Sequence, residues 1–268
     1  MNNKLTNMKA VILAGGLGTR LSEETYAKPK PMVEIGGKPI LWHIMKIYSS
    51  QGVNDFIVCS GYKGNLIKEY FSKYFLNSSD VTFELDKNLI QIQRSFCEPW
   101  RVTIVDTGES TMTGGRLARI AHYLEGERFF FTYGDGVADI DLLALLNFHT
   151  KNGKAVTLTA VKPPGRYGSL TFQSGSANLV SSFSEKPAGD GVWINGGFFV
   201  LEKFALDYIK KGDDTVWEKE PLEQLAQEGE LAAYRHNGFW KPMDTIRDMR
   251  DLETLWSDGN APWMTWKK

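Results

Sequence analysis

Residues 8–35 read MKAVILAGGLGTRLSEETYAKPKPMVEI, and this stretch decides the fold. Lys9 to Ala14 opens it with an apolar run of the kind that forms a strand buried on both faces. Glycines follow at 15, 16 and 18, where a backbone lacking Cβ atoms turns sharply and brings its N–H groups close to an anion. Arg20 comes two residues later, and Lys28 and Lys30 lie in a KPKP segment stiffened by its prolines. A glycine pair alone is an ordinary strand–helix turn, and an isolated lysine is ordinarily a solvated side chain. Their concentration between residues 15 and 30 points instead to a polyphosphate site. No Gly-Lys-Ser/Thr follows the glycines, so this is not the P-loop pattern. The glycine spacing also departs from the dinucleotide-binding fingerprint, and the second strand, FIVCSGYKG, has no acid for a ribose. A dehydrogenase is therefore disfavoured.

Working outward, PILWHIMKIYSSQG reads as a helix stopped at Gly52, NDFIVCSG as a second buried strand and NLIKEYFSKYF as an amphipathic helix. This alternation predicts an α/β fold with a Rossmann-like, mixed, mainly parallel sheet flanked by helices. Residues 80–106 break the rhythm. VTFEL, LIQIQ and RVTIVDT alternate apolar with polar and are expected to be half-exposed antiparallel strands added to the core. RLARIAHYL then reads as a helix and RFFFTYGDG as a third central strand. Further strands are expected in KAVTLTAV, GSLTFQ, VSSFSEKP and VWINGGFFVL, and late helices in PLEQLAQEG and TIRDMRDLETLW. The chain is expected to be one domain of two lobes, dividing softly near residue 136, with residues 1–7 a loose tail.

The composition is that of an ordinary soluble protein: 268 residues, 42% hydrophobic and 24% charged. A net charge of −1 gives no global basic field, which argues against a nucleic-acid partner. No apolar run reaches the length of a membrane span and no signal peptide is visible, so a cytoplasmic location is expected. Two cysteines make neither a disulfide framework nor a metal cluster, and Cys59 reads as a small core residue. The four histidines show no zinc-ligand spacing.

The run GGLGTRL…KPKPMVEIGGKPIL resembles the sugar-nucleotide pyrophosphorylases, nucleotidyltransferases that make NDP-sugars. The resemblance implies that Leu13, Ala14, Gly15, Gly16, Leu17, Gly18, Thr19 and Arg20 wrap the triphosphate of an NTP and that Lys30, rather than Lys28, matches the lysine that contacts the reacting phosphates. It also implies metal-ligand roles for two aspartates whose plain readings are modest. Asp135, in a Gly-Asp-Gly turn after an apolar strand, is by itself a turn residue next to Gly134. Asp244, in FWKPMDT, is by itself a helix cap. Two carboxylates suit Mg²⁺, a hard ion that completes its shell with water and phosphate oxygens. On the sugar side the resemblance assigns Glu185 to sugar hydroxyls, Lys186 to the sugar phosphate, and Gly168, Asn195 and Gly196 to close approach of the hexose. These fall in the half 136–268, expected to be mainly sugar-phosphate-binding, against a mainly nucleotide-binding half 8–135. Arg20, Lys30 and Asp135 are the expected catalytic residues.

Within the family, EPWRVTIVDTG, MTGGRL, TYGDGVAD, INGGFFV and FWKPMDT are most similar to members that use CTP and glucose 1-phosphate. On that reading Arg116 donates to the cytosine O2 and N3, and Thr111 or a nearby carbonyl receives its amino group; UTP or dTTP is the alternative. The family further suggests a homo-oligomer, a hexamer among the options, and a product destined for dideoxy sugars of lipopolysaccharide O-antigen. Three tryptophans after residue 255 mark the C-terminal segment as one that docks internally or against another subunit. A regulatory nucleotide-binding module without chemistry is the second rival. It gives no reason for two metal carboxylates and a sugar-phosphate lysine.

Overall fold

A computed structural model describes residues 5–16, 18, 21–163, 169–172, 180–184 and 193–267. Its centre is a seven-stranded sheet. In chain order the strands are β1 (Lys9–Ala14), β2 (Asp55–Ser60), β3 (Arg101–Asp106), β4 (Arg128–Tyr133), β5 (Val156–Val161), β6 (Ile194–Glu202) and β7 (Leu231–Arg235). Their spatial order is β7-β5-β6-β4-β1-β2-β3. Only β6 runs antiparallel to its neighbours, so the sheet is mixed and mainly parallel, as expected. The apolar run of β1 is explained by its position, flanked by β2 and β4 and covered on both faces; Ala10 to Ile12 have no exposure.

Helix α1 (Ile40–Ser49) packs its apolar side on one face of the sheet, with Tyr48 against Phe130 and Phe198. On the other face Leu117, Ile120, Phe131 and Phe199 gather around Trp217. Cys59 is buried as expected, and burial pushes its thiol up to about 12, so it is inert. No helix of the described residues is long and apolar enough to cross a membrane.

Two expectations change, and for the late tryptophans the internal of the two open alternatives is seen. The antiparallel excursion is a hairpin of Ser79–Glu84 with Leu89–Ser95, but Arg101–Asp106 is not part of it. That segment is the edge strand β3, parallel to β2. Its alternating pattern reports the thinner cover of a sheet edge, not strand direction. Leu5 is buried, so the ordered chain begins before the expected strand. The late tryptophans are used internally. Trp263 is fully buried and stacks on Phe239, Trp256 lies edge-on to His43, and Trp266 edge-on to Trp42. Large exposed apolar side chains lie on the hairpin, at Phe83, Leu85 and Ile90, and also elsewhere, as at Tyr26 and Phe204.

Candidate active site

The parallel strands β1, β2 and β4 end on the same side of the sheet, and a cleft of about 630 Å³ opens there. Leu13, Ala14, Gly15, Gly16, Gly18, Lys30, Thr111, Arg116, Gly134, Asp135 and Asp244 all line it. Asn195 and Gly196 line an adjoining recess that shares Tyr133 and Asp135 with the cleft. Leu17, Thr19, Arg20, Gly168, Glu185 and Lys186 lie outside the described residues.

Lys30 begins a single 3-10 turn after the extended Pro29 and is 9% exposed. Gly18 makes its placement possible. The left-handed φ of 64° turns the chain there, and a Cβ would come within 3.1 Å of the Lys30 Cβ and 2.8 Å of Thr25 Cγ2. Thr25 Oγ1 donates to Gly18 O at 3.0 Å and pins the turn. The Lys30 ammonium donates to Asp135 Oδ2 at 2.6 Å and to Asp244 Oδ1 at 2.7 Å. Burial alone would lower the lysine pKa. The charge and hydrogen bond of Asp135, then those of Asp244, outweigh burial and raise it, so the ammonium is charged at any physiological pH. Lys28 turns away from the cleft and pairs with Glu34.

The two aspartates are brought together by a short antiparallel ribbon in which Gly136–Ala138 pairs with Trp240–Pro242. Met243 N donates to Asp135 O at 2.7 Å and continues the pairing to the carboxylates. The helix-cap reading of Asp244 does not hold. Thr245 caps the helix Ile246–Ser257, in a capping box with Asp248. At Gly134 a Cβ would lie 2.5 Å from Leu13 O, so only glycine lets the Asp135 turn cross the end of β1.

Arg116 is 4% exposed and sits in the cleft wall as a tie between loops. Its Nη1 donates to Ser60 O, Thr107 Oγ1 and Gly108 O, and its Nη2 to Gly15 O and Glu109 O, at 2.8–3.2 Å. The free donor expected for cytosine is thus already engaged with the protein. Gly15 has a second reason to be glycine: its Cβ would fall 2.0 Å from Arg116 Nη1. Gly16 differs, since a Cβ there meets nothing within 4 Å. Gly114 and Gly115 allow the loop carrying Thr111 to lie on residues 213–215, with Gly114 N donating to Thr215 O at 2.9 Å.

In the recess, Gly196 makes room for Val161, whose Cγ1 would be 2.7 Å from its Cβ, rather than only for a hexose. Trp240 Nε1 donates to Gly196 O at 2.7 Å. Gly197, with φ 79°, carries the Tyr133 ring against its Cα. Burial, and then the Glu218 carboxylate, push the Tyr133 phenol far above its ordinary range, so it stays a hydroxyl. Sequence reasoning missed Thr25, Tyr133, Glu218 and Trp240. Trp240 and Tyr133 carried a signal, standing in the FWKPMDT and TYGDGVAD runs.

Two carboxylates converging on one buried ammonium can equally converge on a divalent ion. Among the described residues no third acidic, histidine or cysteine ligand joins them. The remaining ligands must then be water and substrate oxygens, which suits a hard ion such as Mg²⁺.

The family model described as nucleotidyl transferase matches residues 9–258. The glucose-1-phosphate cytidylyltransferase of Salmonella typhi is 62% identical over 261 residues, covering 97% of this chain and all of that one. The probable glucose-1-phosphate cytidylyltransferase of Bacillus subtilis is 46% identical over 259 residues, covering 97% of this chain and all of that one. Among solved structures, HddC from Yersinia pseudotuberculosis superposes with a TM-score of 0.68 at 25% identity, over 93% of this chain and 99% of that one.

Proposed function

The chain belongs to the nucleotidyl transferase family, and from that premise we propose that it transfers a cytidylyl group from CTP to α-D-glucose 1-phosphate, giving CDP-glucose and pyrophosphate. The observation that carries the chemistry is Lys30 held between Asp135 and Asp244 at the mouth of the phosphate loop. The choice of substrates rests on the cytidylyltransferase relatives that match end to end.

A triphosphate and a sugar phosphate bring roughly five to six negative charges into one cleft. Asp135 and Asp244 hold Mg²⁺ on this reading, and the ion neutralises phosphate oxygens when bound. Lys30 exchanges its carboxylate partners for phosphate oxygens, Arg20 and the N–H groups of the glycine loop hold the triphosphate, and Glu185 and Lys186 hold the sugar phosphate. The nucleophile is already an ionised phosphate oxygen, so no general base is required. It attacks the α-phosphorus in line, the new P–O bond forms as the bond to pyrophosphate breaks, and the protein contributes position and fixed charge.

The base lies against Thr111 and the loop that Arg116 holds rigid. A wall so tied gives little when a purine is offered in place of a pyrimidine. Residues 8–135 supply most of the nucleotide site and 136–268 most of the sugar side, within one domain. The enzyme works in the cytoplasm as a homo-oligomer, and the apolar hairpin is the surface that a second copy would cover.

The test is pyrophosphate release with each of four NTPs paired with several hexose 1-phosphates, in the presence of Mg²⁺. CTP with glucose 1-phosphate is expected to be the fastest pair. Equal rates with UTP at low concentration would overturn the base assignment and leave the chemistry standing.

A further inference from the structure

From Tyr133, which lines both cavities, a chain of hydrogen bonds runs through Glu218 behind them and joins the hexose recess to the nucleotide loop. Asn195 Nδ2 donates to the Tyr133 oxygen at 3.3 Å, and the Tyr133 hydroxyl donates to Glu218 Oε1 at 2.5 Å. From the other side Thr113 Oγ1 donates to Glu218 Oε2 at 2.6 Å while accepting from Trp217 N at 2.9 Å. Thr113 starts the helix Thr113–Arg119, directly after the loop that carries Thr111. The Asn195 amide is fixed at its other end as well, its Oδ1 accepting from Gly197 N at 2.9 Å.

The direction of every bond in this chain follows from Glu218. A carboxylate only accepts, so both hydroxyls must point their hydrogens at it. The Tyr133 oxygen is then left with its lone pairs facing the recess, where it can accept only from Asn195. We propose that Glu218 is a positioning residue for the sugar phosphate, orienting Asn195 through Tyr133 and anchoring that arrangement to the nucleotide loop through Thr113. This rests on the reading that the recess takes the hexose of glucose 1-phosphate.

Glutamine at 218 has nearly the same shape but reverses one bond. Thr113 already accepts from Trp217 and must still donate, so the glutamine oxygen goes to Thr113 and its NH₂ to Tyr133. The phenol then accepts from glutamine, its hydrogen swings toward Asn195, and the Asn195 N–H loses its acceptor. Glu218→Gln is therefore expected to raise KM for glucose 1-phosphate about tenfold, the scale of one lost oriented hydrogen bond. KM for CTP should stay within about twofold, since Thr113 keeps its partner. Tyr133→Phe should raise KM for glucose 1-phosphate similarly, and adding Glu218→Gln to it should cost nothing more.

The inference is overturned if Glu218→Gln leaves KM for glucose 1-phosphate unchanged, if it raises both KM values equally, or if the two substitutions multiply. Should Glu218→Gln fail to fold, Tyr133→Phe decides alone, since equal loss for both substrates there contradicts the proposal. Wild-type protein assayed alongside separates the two levels: no pyrophosphate from wild type with CTP and glucose 1-phosphate sinks the substrate reading, whereas an active wild type with unaffected variants sinks only the role of Glu218.

Discussion

Lys30 and Arg116 face the same cleft and are held in opposite ways. Lys30 is bound by two carboxylates, which on the proposed reading a metal ion draws away while phosphate oxygens take their place on the ammonium. Arg116 is bound by four backbone carbonyls and one threonine hydroxyl, which no substrate replaces. One cation is an exchangeable charge and the other a fixed strut. The chemistry of each side chain suits the assignment. Lysine is a point charge on a flexible stem, and arginine is a rigid fork able to serve several acceptors at once.

The sharpest way to break this comparison is to remove the strut. Arg116→Ala strands buried carbonyls of three loops and is expected to destabilise folding by at least ~3 kcal/mol, read as a lower urea midpoint. Arg116→Lys should recover little of it, because one ammonium cannot reach all five acceptors. Lys30→Ala, or Asp135→Ala, should instead show in turnover. A fall of about 100-fold or more at saturating substrates is expected, on the scale of one preorganised charge contact. Near-normal turnover in both variants would abolish the active site described here.

A third test asks what holds the segment carrying Lys30. His43 Nε2 donates to Ile35 O at 2.8 Å, tying that segment to α1, and burial pushes the imidazole down to about 4. The unfolded chain takes up a proton near pH 6.5, while the folded protein resists until about pH 4. Stability from this group is thus complete above pH 6.5 and is lost as pH falls between those values. The loss is about 2 kcal/mol at pH 5, measurable by denaturant titration against His43→Gln, which should lack that slope. The smallest effect belongs to Thr245→Ala, which removes the cap beside Asp244 and should cost ~1 kcal/mol of stability.

The same contrast separates what could be read from the sequence from what could not. Lys30 and the glycine loop announce themselves by residue type, since charges beside glycines after an apolar run have few other uses, whereas Asp135, by itself a turn residue, gains its role only through the family resemblance. Arg116 was noticed, but its role was not, because its acceptors are carbonyls that every residue possesses. The glycines at 61 and 108 carried no signal, and Gly15 has a second role beside the phosphate loop. All three pack around the Arg116 tie or the Thr111 loop, and only the fold reveals what occupies the space of their missing side chains. Strand β3 was misplaced because alternation reports cover on two faces and is silent about the neighbour along the edge. Glu218 gave no signal at all. A glutamate between Trp217 and Lys219 looks like solvated surface until Tyr133 and Thr113 are seen to meet on it.

The ribbon of Gly136–Ala138 with Trp240–Pro242 has a temporal consequence. Lys30 meets Asp135 across 105 residues and Asp244 across 214, so the centre is completed only when the last strand of the ribbon arrives. During synthesis the glycine loop is exposed long before its second carboxylate leaves the ribosome. On the proposed reading, competence to react therefore appears only after Asp244 has been made and the ribbon has closed.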